Sequence, residues 1–140
     1  MFNHILIGVD GSEHSFKAAK IAGELARNIG TKSVSIISCF EPLSVYMGAA
    51  VLVEQSVDLI VTAKENIKRA VEEIGELDCE VITGTFEGPA AETIINIALN
   101  REVDLIIMGT RGLGQLTGLL LGSQSQKVLS QAHCPVLVVR

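Results

Sequence analysis

The chain has 140 residues, about the modal size of one folding unit, so a single domain spanning residues 1–140 is expected. With 48% hydrophobic and 19% charged residues and no Trp, it is too apolar for a disordered chain, and its small aliphatic side chains suit a sheet buried between helices. A formal charge of −5 without any run of Lys or Arg argues against a nucleic-acid partner, and the scattered Cys39, Cys79 and Cys134 read as reduced, buried thiols rather than a disulfide frame or zinc site.

In chain order, the first strand is the apolar run Ile5–Val9, stopped by Asp10-Gly11-Ser12. It follows no pattern of basic residues, apolar stretch and cleavage site, and no run approaches the ~18 uninterrupted apolar residues of a membrane span. A soluble, cytoplasmic protein is therefore the expectation. A helix comes next, with Ala18, Ile21, Ala22, Leu25, Ala26 and Ile29 on one face. Ser12 is placed to cap it and Gly30 to end it.

Val34–Phe40 forms the second strand. A loop with Pro42 leads to a long helix, Ala49–Ile74, whose buried stripe is read as Val53, Val57, Ile60, Ile67, Val71 and Ile74. The third strand, Cys79–Thr83, is expected to end at Gly84, with Thr85–Gly88 as a loop and Pro89 opening the third helix. In that helix Ala91, Ile94, Ile95, Ala98 and Leu99 repeat the amphipathic spacing. Val103–Met108 is the fourth strand. A glycine-rich loop runs from Gly109 to Gly122, a helix starts at about Ser123, and Pro135–Val139 is the last strand.

Strictly alternating strands and helices call for a parallel sheet with helices on both faces. Right-handed crossovers and the common five-strand solution give the order 3-2-1-4-5, an open twisted Rossmann-like α/β sheet. The chain reverses direction between the first and fourth strands, and ligands of such sheets sit beyond the carboxyl ends there. That directs attention to Asp10 and to the stretch beginning at Gly109.

Five of the 13 glycines fall between positions 109 and 122. Glycines let amides approach an anion without Cβ obstruction, and a helix beginning at Gly122-Ser123 adds unpaired N–H groups and a positive dipole end. Ser123 and Ser125 are placed to offer hydroxyls and Arg111 a cation. The spacing matches neither a Walker A loop nor G-x-G-x-x-G, since Thr117 occupies the last position of the latter. The plainer alternative is a loop with Ser123 as an ordinary cap. Asp10 likewise has two readings, as an Asx-turn residue capping the first helix or as a carboxylate for ribose hydroxyls or a divalent ion.

These features together resemble the universal stress protein family over essentially the whole chain. The residues that carry the resemblance are Ile7-Gly8-Val9-Asp10-Gly11-Ser12, Gly88-Pro89-Ala90 and the closing Cys134-Pro135-Val136-Leu137-Val138-Val139. To these is added the signature G-x2-G-x9-G-[ST], met by Gly109, Gly112, Gly122 and Ser123. The resemblance is to the ATP-binding subclass and implies an adenine nucleotide α-hydrolase-like fold. It implies that Val9 and Asp10 line the adenosine, with Asp10 on ribose, and that Cys39 contacts adenine. Met108 and Gly109 would flank ribose and α-phosphate, and Arg111, Gly112, Gly122, Ser123, Gln124 and Ser125 would meet the phosphates. A Mg2+ or Mn2+ ion would bridge phosphate oxygens. Gln124 stands where a small aliphatic residue is common, and position 111 varies between histidine and arginine. Cys39 is equally explained as a buried hydrophobe at a strand end.

No group is evident that would activate water beside a γ-phosphate, and His4, His14 and His133 lie at element edges as surface or cap residues. The resemblance accordingly implies slow or partner-dependent ATP hydrolysis at most. The leading reading is a nucleotide-dependent switch: ATP orders the 109–122 loop, whose Leu113, Leu116, Leu119, Leu120 and Leu121 then show or hide a surface to an unknown protein partner. The alternative is a dimeric interaction module of the same fold without nucleotide. The resemblance implies a homodimer in either case, through the C-terminal edge strand 135–139. A flavoprotein is disfavoured by the absence of Trp and by a single tyrosine, Tyr46.

Overall fold

The computed structural model describes residues 1–41, 49–110 and 121–140, with 49–55 described as helical backbone only. The elements follow the expected alternation: β1 (His4–Gly8), α1 (Glu13–Ile29), β2 (Ser33–Phe40), α2 (Ala49–Ile74), β3 (Glu80–Glu87), α3 (Ala90–Asn100), β4 (Leu105–Gly109), α4 (Ser123–Gln131) and β5 (Val136–Val139). All four neighbouring pairs are parallel, in the order β3-β2-β1-β4-β5. β1 and β4 are the central neighbours, with Ile7 beside Ile107 and Gly8 beside Met108. The sheet is buried on both faces. Ile5, Ile7, Val34, Ile36, Leu105 and Ile107 pack with α1 and α2 on one side. Leu6, Ile37, Ile106 and Met108 pack with α3 and the Val128 of α4 on the other.

Local chemistry explains most boundaries. Ser12 stands in extended backbone before α1 and its side chain accepts from the Ser15 amide. Gly30 closes the helix in the left-handed region at φ 68°, its amide returned to the Ala26 carbonyl. At the amino end of the sheet the Asp104 carboxylate accepts from the amides of Asn3 (2.8 Å) and His4 (3.0 Å), fixing the start of β1 beside β4.

Three expectations need correction. β3 does not stop at Gly84 but runs through Thr85–Glu87, pairing as far as Phe40 with Glu87. Glycine is required there by close approach rather than by a turn, because a Cβ on Gly84 would lie 2.8 Å from the ring of Phe86, two residues on along the same face. The buried stripe of α2 is Ala63, Ile67, Ala70 and Ile74, while Val57 and Val71 are 54% and 38% exposed. The helix is rolled so that small residues meet α1 closely: a Cβ on Gly23 would come within 3.0 Å of the Ile74 Cα. The side chain of Val53 lies outside the described residues. The cysteines are free but half-buried rather than buried.

Candidate functional site

The carboxyl ends of β1 and β4 lie side by side, and the first turns of α1 and α4 converge on them from opposite faces of the sheet. Gly109 is the meeting point. A Cβ there would stand 2.8 Å from the His14 carbonyl carbon and 2.9 Å from the Ser15 amide nitrogen, so α1 rests directly on the end of β4. From the other face the Ser125 hydroxyl of α4 donates to the Gly109 carbonyl at 2.9 Å. Thr110 continues the sheet by donating its amide to Val139 O (2.8 Å), and the chain returns when the Gly122 amide donates to Thr110 O (2.8 Å). The two ends of the glycine-rich loop are thereby pinned together. Arg111, Gly112, Leu113, Leu116, Leu119 and Leu120 lie outside the described residues.

Beyond β1 the chain makes an Asx turn. Asp10 Oδ1 accepts from the Ser12 amide (2.9 Å) and the Ser12 hydroxyl (2.6 Å). Gly11 takes φ 88°, and its missing side chain leaves room for Asn66 of α2, whose Oδ1 lies 3.0 Å from where a Cβ would be. Ser12 Oγ accepts from the Ser15 amide (3.2 Å), and Ser15 Oγ donates back to Ser12 O (2.8 Å). Glu13, in the first turn, pairs with Arg69 of α2 at 3.1 Å, and that guanidinium also lies over the Phe16 ring. The capping role read for Asp10 is thus realised, while Asp10 Oδ2 has no partner among the described residues.

The start of α4 is built differently. Its N-cap is Gly122, in extended backbone with no side-chain cap, and its first turn carries no acidic residue. A helix leaves its first amides without intrahelical carbonyls, here those of Ser123, Gln124 and Ser125. Ser123 is exposed, whereas Ser125 is only 3% exposed and its hydroxyl is committed to Gly109. The Gln124 side chain turns away to α3, its Oε1 accepting from the Ala91 amide at 2.8 Å.

Val9 and Met108 are both buried in the core, so what they present at the crevice is backbone. Cys39 sits one strand over, near the end of β2, and burial pushes its thiol up to about 11; a hydrogen bond with Thr93 opposes that shift and the Glu41 charge adds to it. Its higher-than-usual pKa makes it a neutral packing group rather than a nucleophile. His14 lies at the edge of α1, as expected, and its Nδ1 is 2.8 Å from Thr110 Oγ1, joining α1 to the first residue after β4. His4 bonds Ser35 Oγ (2.7 Å) at the opposite, amino end of the sheet. The His14 contact was within reach of topology, since α1 begins one residue earlier, at Glu13, beside the same reversal.

The family model described as universal stress protein family matches residues 1–140. A universal stress protein of Thermus aquaticus, encoded in the QAH/OAS sulfhydrylase 3′ region, is 37% identical, with both chains covered in full. Among solved structures, MJ0577 is similar with a TM-score of 0.88 and 27% identity, over 99% of this chain and 96% of that one. A universal stress protein in complex with cAMP has a TM-score of 0.70 and 25% identity, over 99% of this chain and 97% of that one.

Proposed function

The chain belongs to the universal stress protein family, and from that premise we propose that it binds an adenine nucleotide, ATP, at the β1–β4 reversal and acts as a nucleotide-dependent regulator in the stress response. The observation that carries this reading is the side-chain-free cap of α4 at Gly122: among the described residues no side-chain acceptor answers the first amides of the helix, those of Ser123, Gln124 and Ser125, at the end of β4. Support for an adenine nucleotide comes from the similar structure that holds cAMP.

In this reading the phosphates take the α4 amides and the Ser123 hydroxyl, with Arg111 and Gly112 contributing from the loop. The backbone of Val9 and Met108 borders the nucleoside, Gly109 lets α1 close against the end of β4, and Cys39 packs toward the base. Asp10 accepts from ribose through Oδ2, the oxygen that Ser12 leaves unused. A Mg2+ or Mn2+ ion supplies charge neutralisation on the phosphates when bound. Such an ion would be carried by phosphate and water, with the Asp10 carboxylate as the protein's contribution. Among the described residues the site offers donors and no water-activating base, so in this reading it holds the triphosphate, and hydrolysis is slow or waits on a partner.

A homodimer through 135–139 belongs to the same proposal. β5 pairs with β4 on one side only, and Leu137 on it is 38% exposed. A cytoplasmic setting, where ATP is abundant, is the working location. The test is to acid-extract the purified protein, identify released nucleotide by chromatography, and titrate the stripped protein with ATP–Mg2+ by calorimetry. Stoichiometric adenine nucleotide and saturable ATP binding are expected; a protein that carries none and gives no heat with ATP refutes the proposal.

A further inference from the structure

α3 and α4 lie on the same face of the sheet with both N-termini at its carboxyl end. The N-cap of α3 is Pro89, whose side chain offers no acceptor. The acceptor comes from the neighbouring helix instead, as Gln124 Oε1 takes the Ala91 amide at 2.8 Å. One turn further along the same seam, Lys127 Nζ meets Glu92 Oε1 at 2.7 Å. Ala91 itself is fully buried in the core beneath α3, together with Ile94 and Ala98, so this amide is a fixed point. Gln124 therefore starts in the turn proposed to hold phosphate and ends on a rigid part of the scaffold.

We propose that Gln124 is a positioning residue for the phosphate end of the nucleotide site: its backbone amide faces the anion while its side chain ties the first turn of α4 to the first turn of α3. The inference rests on the nucleotide reading above and adds to it the residue that sets the direction of the α4 amides. The choice of side chain follows from charge. Two helix N-termini side by side both carry partial positive charge, and a carbonyl oxygen between them satisfies a donor without adding a formal charge. A carboxylate would hold the Ala91 amide as well but would repel the phosphates.

Two substitutions separate this role from a direct side-chain contact or a purely structural one. Gln124→Met keeps length and helix preference and removes the acceptor; Gln124→Glu keeps the acceptor. In Gln124→Met, hydrogen exchange at the Ala91 amide, measured without nucleotide, should speed up by about tenfold. ATP affinity should fall by about fivefold to tenfold, the scale of one lost neutral hydrogen bond. Adenosine, which has no phosphate, should bind as before. In Gln124→Glu the Ala91 amide should stay protected while ATP weakens. Unchanged Ala91 exchange in Gln124→Met overturns the tie, and equal losses for ATP and adenosine overturn the positioning of phosphate. A native chain that binds no ATP overturns the nucleotide reading and this role with it, while Ala91 exchange still reports separately on whether the tie exists.

Discussion

The two helices that begin at the β1–β4 reversal share a backbone geometry and differ in chemistry. The cap residues are both extended, Ser12 at φ −74°, ψ 152° and Gly122 at φ −61°, ψ 154°. At α1 the donors are answered from within, by the Ser12 hydroxyl, and Asp10 and Glu13 put two carboxylates at the same end. At α4 the cap has no side chain and the first turn no acid. One helix start supplies its own acceptors, and at the other no side-chain acceptor stands among the described residues. Both rest on Gly109, so under the proposed function the nucleoside would lie toward the carboxylate of Asp10 and the phosphates toward the amides of α4.

The sharpest way to break the contrast is to make α4 resemble α1. Gly122→Asp provides a favoured cap in a backbone that already suits it, and its carboxylate occupies the amides proposed for phosphate. ATP affinity should fall by about a hundredfold or more, while stability is held or raised by a few tenths of a kcal/mol; calorimetry and denaturant unfolding read the two effects separately. Next in size, Gly109→Ala forces a methyl against the backbone of His14 and Ser15, atoms 2.8 and 2.9 Å away. Overpacking of this kind should cost about 1–3 kcal/mol in urea unfolding, with both helix starts displaced. Ser12→Ala removes the internal cap of α1 and should cost about 0.5–2 kcal/mol of stability, with a much smaller loss of ATP affinity than Gly122→Asp.

The smallest effect concerns Cys39, beside the crevice. With its thiol held protonated up to about 11, chiefly by burial, iodoacetamide at pH 8 should label it about a hundredfold more slowly than an ordinary cysteine. Because the folded pKa of about 11 lies above the thiol's ordinary 9.0, the neutral thiol's contribution to stability is complete below pH 9 and is lost as pH rises through 11. Fast labelling of Cys39 at pH 8 would contradict its placement.

Alternation of apolar runs with amphipathic stretches was enough to give the element order, the sheet order and the position of the reversal, because buried parallel strands and right-handed crossovers leave few topologies open. The caps at Ser12 and Gly30 and the start of α4 at Ser123 were legible for the same local reason: a hydroxyl, a left-handed turn and a missing side chain each leave a chemical mark in the sequence. The roll of α2 was not legible, since its apolar residues outnumber the buried positions and only the close approach at Gly23 selects Ala63, Ile67, Ala70 and Ile74 over Val57 and Val71. Gly84 misled because glycine marks both turns and close contacts. Of the candidate site, the residues at the ends of β1 and β4 and the start of α4 are brought to one crevice. The tie from Gln124 to Ala91 and that from His14 to Thr110 span 33 and 96 positions, and no local pattern signals a side chain spent on so distant a partner.

The most direct measurement follows the backbone amides of both helix starts by NMR as ATP–Mg2+ is added. The amides of Ser123, Gln124 and Ser125 should shift and become protected from exchange in proportion to bound ATP, while that of Ser15, already bonded to Ser12, stays within its unliganded range. Saturable ATP binding that leaves residues 123–125 unmoved, or that perturbs Ser15 as strongly, would contradict the assignment of the phosphates to α4.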